Sequence, residues 1–577
     1  MTETTMHAGA ERGSRSDWDA IVVGSGPGGL TTAAFLAAAG RRVLVLEHHD
    51  VAGGNAQVFR RQHGDASYEF DVGLHYLGDC AEDGMMPRIF GVLGVGDRIT
   101  YRELDPDGFD VFRVGEREFA VPTGWEAYRD RVVESFPDDT EAIDTYIGIL
   151  REVVSQFRMA MMPGVEVPVF EEWGNRTLAE LYDHCAISEE ARAVLSHWCG
   201  LYGSAPSETV MHIHALIVDH YMSGAWYPEG GGQVFPARLV QVIEALGGEV
   251  RTLSTVERIV VDAGRVVGVE VGGELVRAPV VVSNADHRRT VLELVDRGHW
   301  DPATVRAAEE AVMALGLIVA YVVVDVDLTA GLTNANRAVF HDADIEAAYA
   351  ALEAGRFPGD KVPFSFIAMA SKKDPDNVHL CPPGHTNFQI MTVAPRGYDL
   401  WGVERGPTDG TPYRRSSEYR QRKEWITEQL LDDAEQLLGP FREHIVHLET
   451  ATPLTHERYT RSSGGTSYGL RFQPDQAGEH RPGYRTEIEG LWRVGASTRT
   501  GHGIGGAMIG GVMCAGEILE RPLILDVAFG NSLVDPSAIP PDPDGFDPLE
   551  VSRGAALRSR RAEGRAARAE VAAGPVV

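Results

Sequence analysis

The sequence predicts an α/β protein of more than one domain, and three observations predict it. The chain is 577 residues long, more than a single hydrophobic core usually supports. Apolar residues make up 44% and charged residues 24%, the balance of a folded chain with large cores. Near the N-terminus a short apolar strand runs into a glycine-rich turn, then a helix of small residues, then a second strand. That order is a βαβ unit.

The first strand is Asp19 to Val23 and feeds Gly24-Ser25-Gly26-Pro27-Gly28-Gly29. Gly24, Gly26 and Gly29 match GxGxxG. Gly24 makes the tight turn, Gly26 lets a backbone approach a pyrophosphate, and Gly29 lets helix and strand pack closely. Leu30 to Ala39 is the expected helix, closed by Gly40, and Arg42 to Leu46 the second strand. A phosphate would lie at the helix N-terminus, where free N–H groups favour it. Glu47 ends the second strand, where a carboxylate accepts hydrogen bonds from a ribose and repels a 2′-phosphate. Ser25 and Gly28 in the turn, and His48 beside Glu47, complete this first set.

Downstream signals separate FAD from NAD. Gly53-Gly54-Asn55 offers a second close backbone approach. Leu491 to Val494 reads as a strand running into Gly495 and Ala496, and Gly501 to Met508 opens another helix, with Gly505 and Met508 near its start. A second helix N-terminus can stabilise the charge of a reduced flavin, which a nicotinamide does not require. The middle of the chain adds a helix over Gln233 to Leu246, a strand at Val250 and a hairpin of Thr255 to Val261 with Val266 to Val271. The apolar run Ala311 to Val324 ends in three valines, as buried strands do.

Gly24 to Glu47, Gly53-Gly54, Phe70 to Gly78, Val281 to Asp286 and Val494 to Met508 together resemble the phytoene desaturase superfamily of FAD enzymes. Phe70 to Gly78, Phe136-Pro137 with Tyr146, His214 to Met222 and Tyr227 to Gly231 narrow the likeness to the retinol saturase and carotenoid isomerase branch. The resemblance is dense from about residue 17 to 286, thin from 288 to 489, and recovers to 519. It implies a glutathione-reductase-like fold: an FAD-binding Rossmann domain of residues 17–80, 226–300 and 486–525, with a discontinuous α+β substrate domain of 81–225 and 301–485. It implies a tightly held FAD, redox or isomerisation chemistry on an extended alkene, and an adenine contact at Val256. Asn55 and Ala496 stand where many members of the superfamily carry Arg and an acidic residue.

Composition excludes other classes. With 84 acidic against 53 basic residues the net charge is −31, which repels nucleic acid. Cys80, Cys185, Cys199, Cys381 and Cys514 form no metal-spaced set, so no metal is expected. His212, His214 and His220 on one helix lack partners at metal spacing. No secretory h-region or spanning segment is seen, and the reading is cytoplasmic. Peripheral contact at the inner face of a membrane would come through the apolar stretch Phe157 to Phe170, with Met159, Met161 and Met162, or through six Arg against two Glu after Val551. Residues 1–16 are expected to be a disordered tail, and 526–577 a Pro-rich linker with a basic tail.

The partner expected is an apolar, lipid-like small molecule, and oligomeric state is left open. NAD(P)H as electron donor would have to bind without a second fingerprint, since no other GxGxxG follows a strand. His75, Tyr76, Tyr227 and His502 are the candidate proton donors. Two other classes compete: a flavin amine oxidase, and a non-catalytic prenyl-lipid escort resembling the GDP-dissociation-inhibitor group, which the intact glycines and Glu47 argue against.

Overall fold

The structure is a computed structural model that describes residues 18–64, 66–160 and 164–563. The expected N-terminal tail, Met161 and Met162, and the basic residues Arg565 and Arg568 lie outside the described residues.

Strands β1 (Ala20–Val23), β2 (Val43–Leu46), β3 (Glu249–Arg251), β4 (Val281–Ser283) and β5 (Leu491–Arg493) form one parallel sheet in the order β3-β2-β1-β4-β5. Val22 pairs with Val45 on one side and Val282 on the other. Both β1 and β2 are buried along their whole length, which is why they read as continuous apolar runs and not as alternating ones. Helix α1 (Pro27–Ala38) begins earlier than its apolar pattern suggests, because Pro27 occupies the first helical position, where its missing N–H costs nothing. It packs against α2 (Ile504–Leu519) through small residues. Thr32 donates its hydroxyl hydrogen to the carbonyls of Gly28 (2.9 Å) and Gly511 (3.2 Å). A side chain at Gly511 would strike the Gly28 carbonyl. Helix spacing here is set by backbone.

A small antiparallel sheet of Val256–Asp262, Arg265–Val271 and Glu274–Arg277 lies beside this unit. A larger mixed sheet takes Ile445–Ala451, Leu317–Val324, Thr386–Val393, Phe364–Ala368, Asn336–Phe340, Asp110–Val114 and Arg117–Val121 in that order. Leu317–Val324, the end of the long apolar run, is paired on both sides and almost wholly buried. The helix Met211–Met222 carries His212, His214 and His220.

Residues after 526 differ from the linker expected of them. Leu523–Phe529 is a helix, and 530–553 runs back across the body as a strap. Arg60 holds Asp547 with two hydrogen bonds (2.6 and 2.8 Å), Arg238 holds Asp542, and Arg553 pairs with Asp50. The Ala52 amide donates to the Ser552 carbonyl at 2.8 Å. Proline and aspartate, which read as solvated linker, here supply fixed φ angles and partners for buried arginines.

Candidate functional site

A cavity of about 1390 Å³ runs through the molecule from the first glycine turn to His502. Ordinary small-ligand pockets hold roughly 300–1,000 Å³, so this one can take a dinucleotide and a second molecule together. Its wall includes Gly24, Ser25, Gly26, Gly28, Glu47, His48, Gly54, Asn55, Val256, Gly495 and Gly505.

Two helix N-termini open onto it, since residues 26–28 before and within α1 and 503–507 at the start of α2 are all in the wall. Neither N-cap residue, Gly26 nor Gly503, offers a side-chain cap, and neither first turn contains an acidic residue. Apart from the Gly29 amide, which Asn284 accepts, the first-turn N–H groups at the positive end of two dipoles therefore face the same space, as an anionic ligand would require.

Asn284, at the end of β4, ties these parts together. Its Oδ1 accepts the Gly29 amide hydrogen at 3.1 Å. A Cβ on Gly26 would lie 2.8 Å from Asn284 Nδ2, one on Gly29 2.8 Å from its Cβ, and one on Gly495 2.9 Å from its Oδ1. Three glycines from two ends of the chain are thus required by one side chain. Gly54 has φ +55°, and its added Cβ would meet Gly26 Cα at 2.8 Å, so the second glycine pair stacks on the first. Gly29 and Gly53 shape the site from behind. Met508, expected as a contact, is fully buried and absent from the wall.

Glu47 is buried, and its carboxylate is crowded with donors. Oε2 accepts the Ser25 amide (2.9 Å) and hydroxyl (2.6 Å); Oε1 accepts the His49 amide (2.8 Å) and lies 2.8 Å from His48 Nδ1. Burial pushes this carboxyl up, but the hydrogen bonds and the His48 charge outweigh it and leave it at about 2. A ribose hydroxyl would replace the Ser25 hydroxyl or the His48 ring, because the four lone-pair positions are taken. Ser25 Oγ also accepts the Gly53 amide at 3.2 Å.

Beyond the dinucleotide half the wall becomes apolar, with Leu201, Ile213, Ile217, Leu317, Tyr468 and Phe472. A smaller cavity of about 70 Å³ adjoins it, sharing His75, Tyr76, Leu201, Leu317 and Tyr468 and walled by Phe112, Phe340 and Phe364. Phe157, 38% exposed, and Arg158 stand in the wall of the larger cavity.

The four candidate proton donors separate here. His75 and His502 line the large cavity. Burial, with Lys373 nearby, pushes His75 down to about 3; burial, with Arg481 nearby, brings His502 to about 4. Both rings are neutral near pH 7. His502 Nε2 lies 3.1 Å from the Leu201 carbonyl. Tyr76 lines both cavities, and its hydroxyl donates to Asp110 Oδ2 at 2.7 Å. Tyr227 reaches neither cavity: it is 1% exposed and its hydroxyl is taken by Asp71. The expectation of a donor at Tyr227 is corrected accordingly, because burial and a carboxylate partner make it part of the support.

Sequence reasoning missed several contributors. His456 meets the Asn55 amide oxygen at 2.9 Å across the cavity wall. His220 Nε2 accepts the Gly78 amide at 2.8 Å and clamps the loop that carries His75 and Tyr76. Arg481, 2% exposed, donates to the carbonyls of Thr498 and Ala496 (2.8 Å each) and Leu470 (3.0 Å), with its guanidinium 3.6 Å over Phe472. It pins the loop after β5. Leu549 and Arg553 of the strap also enter the wall, beside Asp50. Among the described residues no group of three or more His, Cys, Asp or Glu could hold a metal ion, and no helix is long and apolar enough to cross a membrane.

Comparisons with known proteins place the chain in a family. The family model of flavin-containing amine oxidoreductases matches residues 27–324. An all-trans-retinol 13,14-reductase of Danio rerio is 30% identical over 554 residues, covering 88% of this chain and 87% of the relative. A chloroplastic prolycopene isomerase of Daucus carota is 24% identical over 546 residues, covering 89% and 83%. The crystal structure of an oxidoreductase from Methanosarcina mazei superposes with a TM-score of 0.57 at 16% identity, over 87% of this chain and all of the other.

Proposed function

Because the chain belongs to the flavin-containing amine oxidoreductase family, in its retinol saturase and carotenoid isomerase branch, we propose that it moves hydride between FAD and a carbon–carbon double bond of an apolar polyene or isoprenoid lipid. FAD, when bound, supplies hydride transfer. The residues of this chain bind, orient and seal. Gly24, Ser25, Gly26 and Gly28 would hold the pyrophosphate at the start of α1, Glu47 and His48 the adenosine ribose, and Val256 the adenine. Gly54 and Asn55 would flank the middle of the cofactor, and Gly495 with Gly505 its redox ring. The N-terminus of α2 would stabilise negative charge on the reduced ring.

One observation carries the substrate class: the dinucleotide space opens directly into an apolar, aromatic-walled extension. Burial keeps His75 and His502 uncharged there, so an apolar chain meets no imidazolium. Tyr76, like His75 and Tyr468, lines both cavities where they meet, and its phenol stays protonated because burial and Asp110 raise it well above 10. Lipid would enter past Phe157, an exposed ring in the cavity wall.

The test is anaerobic. FAD in the purified enzyme is reduced chemically and conjugated polyenes are added; oxidised flavin bands should return with a product two hydrogens heavier, or the polyene should isomerise with no reductant consumed. Bleaching of oxidised enzyme by primary amines, with every polyene inert, would transfer the chain to the amine oxidase reading.

A further inference from the structure

Lysine is rare in this chain. It occurs four times among 53 basic residues, at 361, 372, 373 and 423. One of the four, Lys373, is 1% exposed and ends directly behind the cavity wall. Its ammonium donates to the carbonyl of His75 (2.5 Å) and to Asn336 Oδ1 (2.5 Å). It lies 5.8 Å from the Tyr76 ring centre and 5.7 Å from that of Tyr227. Asn336 turns its Nδ2 to Asp110 Oδ1 at 2.7 Å, and Asp110 Oδ2 holds the Tyr76 hydroxyl at 2.7 Å. A connected polar chain thus runs from a buried ammonium through Asn336 and Asp110 to a phenol that faces the cavity.

A lysine costs more to bury here than a neutral residue would, and arginine is this protein's usual cation. What lysine offers and arginine lacks is a proton that can leave near neutral pH. The groups facing it are His75 and Tyr76 on the cavity loop, Asp110 on its strand, Asp71 with Tyr227 behind, and Asp374 next in the chain. Burial lowers the ammonium and raises the Asp71 and Asp110 carboxyls, which brings these groups toward titration in the same range.

We infer that Lys373 and Asp110 form the proton reservoir that recharges Tyr76 during alkene reduction. The inference rests on the polyene reading. Reduction makes two C–H bonds: the alkene π pair and a hydride from the reduced cofactor need one added proton. Tyr76 O–H breaks and gives that proton to carbon. With Asp110 protonated at Oδ2, its O–H restores the phenolate across the 2.7 Å contact; Asn336 then passes a proton from Nδ2 to the Asp110 carboxylate while its Oδ1 takes one from the Lys373 ammonium, and the neutral amine regains a proton from water as Asn336 returns to its amide form between turnovers. Lys373 is a positioning and relay residue, because it acts through Tyr76.

Two measurements test this. With only four lysines, ¹³Cε signals of labelled holoenzyme can be followed individually; the signal lost in K373R should titrate well below an ordinary lysine. A Lys373 signal that moves only near pH 10 overturns the inference, whatever the substrate proves to be. Second, K373R keeps the charge and hydrogen-bonding capacity, so it should retain FAD, yet its anaerobic reoxidation by polyene should slow by roughly 100-fold. It should also lose the wild-type pH inflection. K373R with wild-type rate and pH profile overturns the inference, whereas a wild-type enzyme inert to every polyene overturns the functional reading and leaves the titration standing. Should K373R fail to hold flavin, D110N is measured in its place, with the same loss of inflection expected and an unchanged profile overturning the inference.

Discussion

The amide hydrogen of Gly29 is accepted by the side chain of Asn284, 255 positions away, at 3.1 Å. The first turn of α1 is therefore capped from a different strand of the sheet, and the same side chain forbids a Cβ at Gly26 and Gly495. An Asn284→Leu variant loses the cap and fills the space these glycines leave. It should purify folded but with FAD affinity reduced at least ~10-fold, on the order of the 1–2 kcal/mol of a lost helix cap. The ratio of flavin to protein absorbance checks this. Gly26→Glu, which adds charge as well as bulk, should purify without flavin.

Glu47 carries a pH dependence whose sign follows from its depressed carboxyl. Held at about 2 in the folded protein against 4.5 when unperturbed, it contributes stability that is fully present above about pH 4.5. That contribution is lost as pH falls toward 2, and amounts to about 3 kcal/mol. Glu47→Gln should lower the melting temperature at pH 7 and flatten its decline below pH 4.5. The same change should weaken FAD binding by about 1–3 kcal/mol. Thermal scans across pH, with flavin release as readout, test both.

Arg481 spends its guanidinium on backbone carbonyls of the loop after β5. Arg481→Met leaves those acceptors unpaired at about 1–3 kcal/mol each. Reduced thermal stability together with flavin loss is expected, and Arg481→Lys should restore part of each. An Arg481→Met variant with unchanged flavin content would mean that the loop holds its shape unaided.

Deleting everything after Glu550 removes the Arg553–Asp50 ion pair and the Ser552 carbonyl that Ala52 uses. Arg553 stands in the cavity wall, so the truncated protein should release FAD faster than the full chain. Stopped-flow exchange against excess free FAD measures it. Anionic-vesicle sedimentation of the two forms tests separately whether Arg558, Arg560 and Arg561 reach a lipid surface.

The turn from Gly24 to Glu47 was legible because its glycine spacing and its strand–turn–helix order are written in consecutive residues, although the side chain that requires Gly26 and Gly29, Asn284, lies far along the chain. Asn284 was visible as part of a motif but not as a cap, since its partner is brought to it only by the pairing of β1 with β4. Lys373 was illegible for the opposite reason. Ser371-Lys372-Lys373-Asp374 reads as a solvated surface stretch, and only tertiary packing turns one of the two lysines inward. Tyr227 misled because proximity to a glycine-rich turn does not tell which face of its strand meets the cavity. The strap was misread because its aspartates find their arginines, at 60 and 238, only across the folded body.

The strap also fixes an order of events in the cell. Synthesis delivers β1 and the first glycine turn early, Asn284 midway, and α2 and residues 547–553 last. A chain still on the ribosome can form the turn but cannot close the cavity, because its far wall has yet to be made. Cofactor capture would therefore follow synthesis, and until β5 is made β4 lacks its outer neighbour and stands exposed to mispairing. The chain should depend on holding chaperones in proportion to how scarce flavin is, so that riboflavin starvation lowers the amount of this protein and not merely its activity.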